Sequence, residues 1–421
     1  MESKPFVPWK PVLCFVGILA IGLAVRLLFV VLYPAKPVAD AAYYNDQANA
    51  LATGLGVTMD GRPTAFRPPG YSFFLAAVYV SFGPDVQAAC AVQAFVGTMT
   101  VALVSLVGWL LLGRRLALWA GFMASIYPGL VFLPRVLLSE NLSLPFVLGA
   151  VAAGIMVART WSYRWAAGLG LLLGFAVLVR GASVFCAGLL LLGLVVWAYR
   201  EHRLGRGVAI VACSMLALIV TIAPWAARNY LLFGRFVPVG TEEGIALYSS
   251  YWPPRDGSKR IWGNVATEED PYVSTAYNSI GTEVDKSDAL RATTIDRLRQ
   301  EPGYFFQLIP EKLFYLAVPF DWEWFPHGPG RSRSLNVGYV VLLVPAFLGS
   351  VLLLLRRPQQ QWVLWVLPAS VIAQTVLFYG GPRFRLPLEV FGLIVAPAGL
   401  WWLFSGVGYL LRRSPQSLPK F

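Results

Sequence analysis

Residues 11–33 read PVLCFVGILAIGLAVRLLFVVLY, an apolar run long enough to cross about 30 Å of hydrocarbon as a helix. Outward from it the pattern recurs near 86–112, 116–134, 141–158, 166–180, 183–199, 207–225, 336–355, 362–379 and 387–411. Tyr71 to Phe82 is apolar but too short to span, and is expected as an interfacial or re-entrant helix. Of the whole chain 57% is hydrophobic and 13% charged, with a mean hydropathy of +0.61. Soluble domains carry roughly 25% charged residues. The expected fold is therefore an all-α polytopic membrane protein with about ten transmembrane helices, and a cytosolic enzyme, a disordered tail and a secreted disulfide scaffold are excluded. Cys14, Cys90, Cys186 and Cys213 sit in apolar runs with no CxxC spacing, so neither a disulfide nor a zinc site is expected.

The net charge of +12 is distributed by topology. Lys4 and Lys10, then Arg114 and Arg115, Arg159 and Arg164, Arg200, Arg203 and Arg206, Arg356 and Arg357, and Arg412, Arg413 and Lys420 mark every second connection. The positive-inside rule places these, and both termini, in the cytoplasm. Basicity of this kind is no sign of a nucleic-acid partner. Of 22 acids only Glu2 and Glu201 fall on that side, so chemistry is expected in the outer connections, about 34–85 and 226–333. This divides the chain into an N-terminal membrane module (1–225) with its first outer loop, a large outer loop (226–335) and C-terminal membrane helices (336–421). The first run lacks a small-residue cleavage site and reads as a retained span. No internal repeat and no Ser-His-Asp set is readable.

The first outer loop opens at Asp40. From Ala41 to Ala52 helix formers dominate, with Tyr44, Ala48 and Leu51 on one face and Asp46, Gln47 and Asn49 on the other, as in an interfacial helix. Asp40 stands either as its N-cap or as a carboxylate at the mouth of a cavity. Further on, Arg67-Pro68-Pro69-Gly70-Tyr71 holds an arginine on extended, proline-stiffened backbone. Such an arginine suits a phosphate, or snorkels to lipid headgroups.

These motifs carry a resemblance. Asp40 after the first span, Tyr43 and Tyr44 in an Ala-rich helix, then Arg67-Pro68-Pro69-Gly70-Tyr71, resemble the GT-C superfamily of lipid-linked sugar transferases. Within it the protein O-mannosyltransferase-like and lipid A aminoarabinose transferase-like enzymes are the nearest in pattern. Tyr127-Pro128 with Leu138-Ser139-Glu140-Asn141-Leu142, Val179-Arg180, Pro224-Trp225-Ala226-Ala227-Arg228-Asn229-Tyr230, and Gly381-Pro382-Arg383-Phe384-Arg385-Leu386-Pro387 follow in the family's order, over about residues 10–390. The resemblance implies an inverting transfer of a sugar from a polyprenyl monophosphate to an acceptor hydroxyl, with Asp40 as base. The residues themselves call for no cofactor, with a divalent metal left as the alternative at two acidic runs. The implied partners are a polyprenyl-phosphate-linked sugar, an envelope glycan, lipid or protein acceptor, and membrane lipid; Cys confined to spans and the small loops fit a bacterial inner membrane, and the charge placement puts the site on the outer side. Ala41 stands where many mannosyltransferase relatives have Glu, Ser72 where Pro is frequent, and Gly181 where Pro is common.

Residue chemistry runs in parallel. An inverting transfer needs a base, positive charge on the leaving phosphate and a lipid groove. Asp40 and Glu140 are the candidate catalytic carboxylates, Glu140 having the alternative of a structural pair with Arg135. Arg67, Arg180, Arg228, Arg383 and Arg385 are the candidates for phosphate, with Arg67 and Arg383 foremost, and Arg180 and Arg228 alternatively paired to acids of the large loop. Tyr43, Tyr44 and Tyr71 join them as substrate-binding candidates. Helices are expected near 284–300 and 302–316, and turns at 240–244 and 251–254. Tyr248, Tyr251, Trp252, Trp322, Trp324 and His327 either stack on sugar or anchor the loop at the interface. Glu268-Glu269-Asp270 and Asp321-Trp322-Glu323 read as solvated acids before they read as a metal site. A transporter or flippase of a lipid-linked substrate is the alternative function. It calls for charges midway along spans, whereas nearly all charges here read as lying at span ends.

Overall fold

The computed structural model describes residues 9–251, 281–321, 334–356 and 358–405. In chain order the helices are α1 (Trp9–Leu32), α2 (Asp40–Ala52), α3 (Gly70–Phe82), α4 (Val86–Leu112), α5 (Arg114–Ile126), α6 (Pro128–Phe132), α7 (Ser139–Thr160) and α8 (Tyr163–Val179). They continue as α9 (Ser183–Arg200), α10 (Leu204–Phe233), α11 (Glu242–Tyr251), α12 (Glu283–Gln300), α13 (Pro302–Ala317), α14 (Val337–Arg356), α15 (Gln361–Leu377) and α16 (Leu386–Ser405). Two short antiparallel ladders, β1 (Thr58–Met59) with β2 (Arg62–Pro63) and β3 (Phe320–Asp321) with β4 (Ser334–Leu335), are the strands among the described residues. Seven described helices, α1, α4, α7, α9, α10, α14 and α16, are long and apolar enough to cross a membrane. An eighth crossing is the pair α5 and α6 with its 3-10 turn, bent by 55°. The expected spans at 166–180 and 362–379 are the shorter apolar helices α8 and α15. The chain is an integral multi-pass membrane protein.

The bend has a local cause. Pro128 lacks an N–H and starts a new helix at N1, so α5 ends at Ile126 with carbonyls unpaired. Arg26, wholly buried in α1, answers them: its Nη1 donates to Ser125 O at 3.1 Å and to Gly22 O at 2.9 Å, and its Nη2 to Ala124 O at 3.2 Å. This charge lies within a span, not at its end, and it caps a helix rather than lining a path. Glycine at 97 leaves it room, since a Cβ there would stand 3.0 Å from Arg26 Nε.

The core centres on α7, the most buried span, against α4, α8 and α9, while α10 is the least buried of the long apolar helices. The backbones of α14 and α16 pass in contact, because a Cβ on Gly399 would run into the Pro345 carbonyl and one on Gly349 into that of Val395. At the loop end of the bundle α2 lies on α3, with Tyr44 and Ala48 packed on Tyr71, Leu75 and Tyr79. Gln47, expected on the polar face, is buried and donates to Thr58 O. The α10 span runs on to Phe233. A Thr282–Asp285 capping box starts α12, and α11 begins at Glu242 inside the stretch read as a turn. Tyr248 and Tyr251 are buried, the latter donating to Leu377 O at 2.8 Å, so neither ring is an open platform. Trp252, Glu268, Glu269, Asp270, Trp322, Glu323, Trp324 and His327 lie outside the described residues.

Candidate active site

Asp40 reaches the site through strained backbone. Ala39 has φ 49°, a conformation that L-residues with a side chain rarely adopt, and turns the chain into α2. Asp40 is then the first helical residue, and its side chain does not cap the helix. Its two oxygens accept instead from two guanidiniums, Oδ1 from Arg67 Nη2 and Oδ2 from Arg383 Nη1, both at 2.6 Å.

Arg67 is held from behind. Ala65 N donates to Glu283 Oε1 and the Thr64 hydroxyl to Glu283 Oε2, both at 2.6 Å. Arg228 donates to the carbonyls of Thr64 at 2.7 Å and Val57 at 3.1 Å. Thr241 N and Glu242 N pair with Ala65 O and Phe66 O, each at 2.9 Å, so the segments bearing Arg67 and Glu242 run side by side. The Tyr43 and Tyr44 rings flank the Arg67 guanidinium at 5.2 and 5.3 Å. Tyr71 is fully buried beneath Tyr44 and donates to Gln93 Oε1 at 2.7 Å. Gln93 in turn donates to Pro134 O at 3.0 Å, and Asn141 Nδ2 to Gln93 O at 3.1 Å, which seats the chain just before and after Glu140.

Glu140 lies in the first turn of α7, buried, and pairs with both Arg180 and Arg383. Phe384 supports those two arginines at 5.2 and 5.4 Å. At the other limit Arg67 Nε stands 3.5 Å from Glu242 Oε2. Among the described residues, six side chains thus alternate in sign: Arg180, Glu140, Arg383, Asp40, Arg67, Glu242. The Arg180 end opens into a narrow cleft between α7, α9 and α15, lined by Ser143, Val147, Cys186, Val371 and Gln374. The Glu242 end belongs to the large loop.

The electrostatics differ along this chain. Burial works to raise the pKa of Asp40, but Arg383 and Arg67 outweigh it and hold the carboxyl well below the usual range. Burial raises the pKa of Glu242, with Arg67 opposing. Burial also raises Tyr43 and Tyr44, and pushes Tyr379 up to about 12, so these phenols stay neutral. Buried charges of this kind persist only while paired, and removing one strands its neighbours.

Of the sequence candidates, the structure brings together Asp40, Glu140, Arg67, Arg180 and Arg383, with Tyr43 and Tyr44 at the side. Tyr71, Arg228 and Arg385 lie outside that chain. Arg385 is fully buried, pairs with Glu389 and donates to Val318 O, while Tyr127 donates to Glu389 at 2.9 Å. Arg135 stands over the Tyr33 ring, and Glu140 takes other arginines. Glu242 was missed as part of a turn, although Thr241-Glu242-Glu243 carries the acids of a helix first turn. Glu283, Gln93 and Glu389 were missed as well. Of these only Glu389 had a local signal, four residues after Arg385 at the head of α16.

No protein-family model and no curated protein matches the chain. Solved structures do. The apo oligosaccharyltransferase of Archaeoglobus fulgidus aligns with a TM-score of 0.57 at 13% identity, over 93% of this chain and 50% of that one. The archaeal oligosaccharyltransferase AglB from Archaeoglobus fulgidus, in complex with an inhibitory peptide and a dolichol-phosphate, gives 0.54 at 12% identity over 93% and 50%. ArnT from Cupriavidus metallidurans bound to undecaprenyl phosphate gives 0.49 at 16% identity over 91% and 77%. At these identities the likeness to the archaeal enzyme shows the fold: the chain has the all-α GT-C-like membrane fold. It spans about half the length of the archaeal oligosaccharyltransferase chains it matches.

Proposed function

We propose that the protein is an inverting glycosyltransferase that moves a hexosyl or pentosyl unit from a polyprenyl monophosphate to an acceptor hydroxyl. On this reading it lies in a bacterial inner membrane with both termini cytoplasmic and the site on the outer side. The observation that carries the reading is the alternating charge chain whose arginine end meets a cleft between spans. A lipid tail occupies that cleft and its phosphate meets Arg180 and Arg383. The solved AglB structure contains a dolichol-phosphate and a peptide, which supports a lipid phosphate and an acceptor as the two kinds of ligand.

Charge moves onto the phosphate as the bond from the anomeric carbon to the phosphate oxygen breaks. Two guanidiniums fixed by Glu140 stabilise it there without reorganising. Asp40, in the middle of the chain, lies under the sugar and stabilises the positive charge on the anomeric carbon. The acceptor oxygen attacks from the face opposite the phosphate, and the configuration inverts. The test is transfer by purified protein in liposomes holding radiolabelled polyprenyl-phosphate sugars, with envelope extract as acceptor. Label is expected to leave the lipid with wild type and not with Arg383→Ala. Label that stays in the lipid across a broad sugar panel would overturn the reading.

A further inference from the structure

We propose that Glu242, on the large loop, is the base that takes the proton of the acceptor hydroxyl, in place of Asp40. The inference rests on the transferase reading and deepens it. Three acids belong to the charge chain, and two are committed. Glu140 is buried between Arg180 and Arg383, and Asp40 gives one oxygen to each of Arg67 and Arg383 at 2.6 Å. Glu242 is the chain's terminus. Its one ion pair among the described residues is the 3.5 Å approach to Arg67 Nε, and that nitrogen makes no hydrogen bond. Its side chain is also the most open of the three, at 36% against 27% for Asp40 and 4% for Glu140.

Position supplies the direction of attack. The cleft is lined by Arg180 and Arg383, whereas the ion pair of Glu242 is to Arg67, further along the chain of pairs past Asp40. Inversion requires leaving group and nucleophile on opposite faces of the anomeric carbon. With the phosphate at the cleft end, the acceptor enters at the loop end, where Glu242 is the carboxylate. The paired backbones of 65–66 and 241–242 hold it there. In the step, the acceptor O–H proton passes to a Glu242 oxygen and the acceptor oxygen bonds to the anomeric carbon. The electron pair of the breaking bond leaves on the phosphate. Glu242 makes one long ion pair where Asp40 makes two short ones, so it is the stronger proton acceptor of the two. Arg67 faces it at 3.5 Å, and the charged and titratable groups within range of its field are Asp40, Arg180 and Arg383, with Tyr43, Tyr44 and Tyr379, whose phenols stay neutral.

The experiment compares full-length wild type, Glu242→Gln, Glu242→Asp and Asp40→Asn in the liposome transfer assay between pH 5 and 9, with binding of undecaprenyl phosphate measured beside it. Glu242→Gln is expected to lower turnover by at least about 100-fold while binding stays within a factor of about three. It should also abolish the acid limb of the kcat/KM profile, which Glu242→Asp and Asp40→Asn retain. Turnover of Glu242→Gln near wild type, or a loss of lipid binding as large as the loss of turnover in both Glu242 variants, would overturn the assignment and leave the transferase reading standing. A wild type that transfers no sugar would overturn both.

Discussion

Arg383 makes two contacts that a lysine cannot reproduce. Its Nε serves Glu140 and its Nη1 serves Asp40, across a planar fork. Arg383→Lys puts one point charge where two directions are needed, and turnover in the transfer assay is expected to fall about 100-fold. The carboxylates also give opposite pH signatures. The depressed pKa of Asp40 means its contribution to stability is full above the unfolded value of about 3.9 and is lost as pH falls through the folded pKa. The raised pKa of Glu242 gives a contribution that is full below about 4.3 and is lost as pH rises through the folded pKa. Thermal unfolding in detergent from pH 3 to 7 should therefore show Asp40→Asn flattening the acid-side loss and Glu242→Gln flattening the decline on the other side. Residue types at span ends were enough to nominate Asp40, Glu140, Arg67, Arg180 and Arg383. Their pairing was not legible, because Asp40 and Arg383 are 343 positions apart and nothing local joins them. Arg385 was grouped with the phosphate candidates as an arginine at the outer end of a span, yet two residues beyond Arg383 the chain turns it into the bundle.

Helix by helix, hydropathy located the spans well, since an apolar run long enough to cross a bilayer has few other uses. What hydropathy could not see was the break at Tyr127–Pro128, or the arginine that makes it tolerable. Arg26→Leu leaves the Ala124 and Ser125 carbonyls unpaired in an apolar surround. A loss of about 2 kcal/mol or more is expected, read as a lower Tm in detergent. Gly97→Ala tests the same cap from the other side, because its Cβ would stand 3.0 Å from Arg26 Nε and press the guanidinium out of line with its carbonyls by a few tenths of an ångström. Its Tm should fall as well. At the head of α2 the sign reverses. Ala39→Gly relieves a positive φ and is expected to stabilise the fold by up to about 1 kcal/mol. Turnover should drop with it, as Asp40 is then less firmly aimed.

Across the whole molecule, the site is assembled where the bundle meets the loop layer, from the first loop, the starts of α7 and α11, the end of α8 and the approach to α16. A polyprenyl phosphate carrying a photoreactive group near its head should label α7, α9 and α15, which line the cleft, and spare α10. Labelling concentrated on α10 would place the lipid elsewhere. The alternating chain has one more consequence. Its three arginines and three carboxylates leave it electrically neutral, so whatever binds is judged by its own charge. On the proposed function the incoming donor is a phosphodiester with a single negative charge. The departing carrier is a phosphomonoester, nearer to minus two at neutral pH. On that reading the spent carrier leaves the neutral cluster with the larger uncompensated charge, and losing its sugar is what loosens the lipid from the protein.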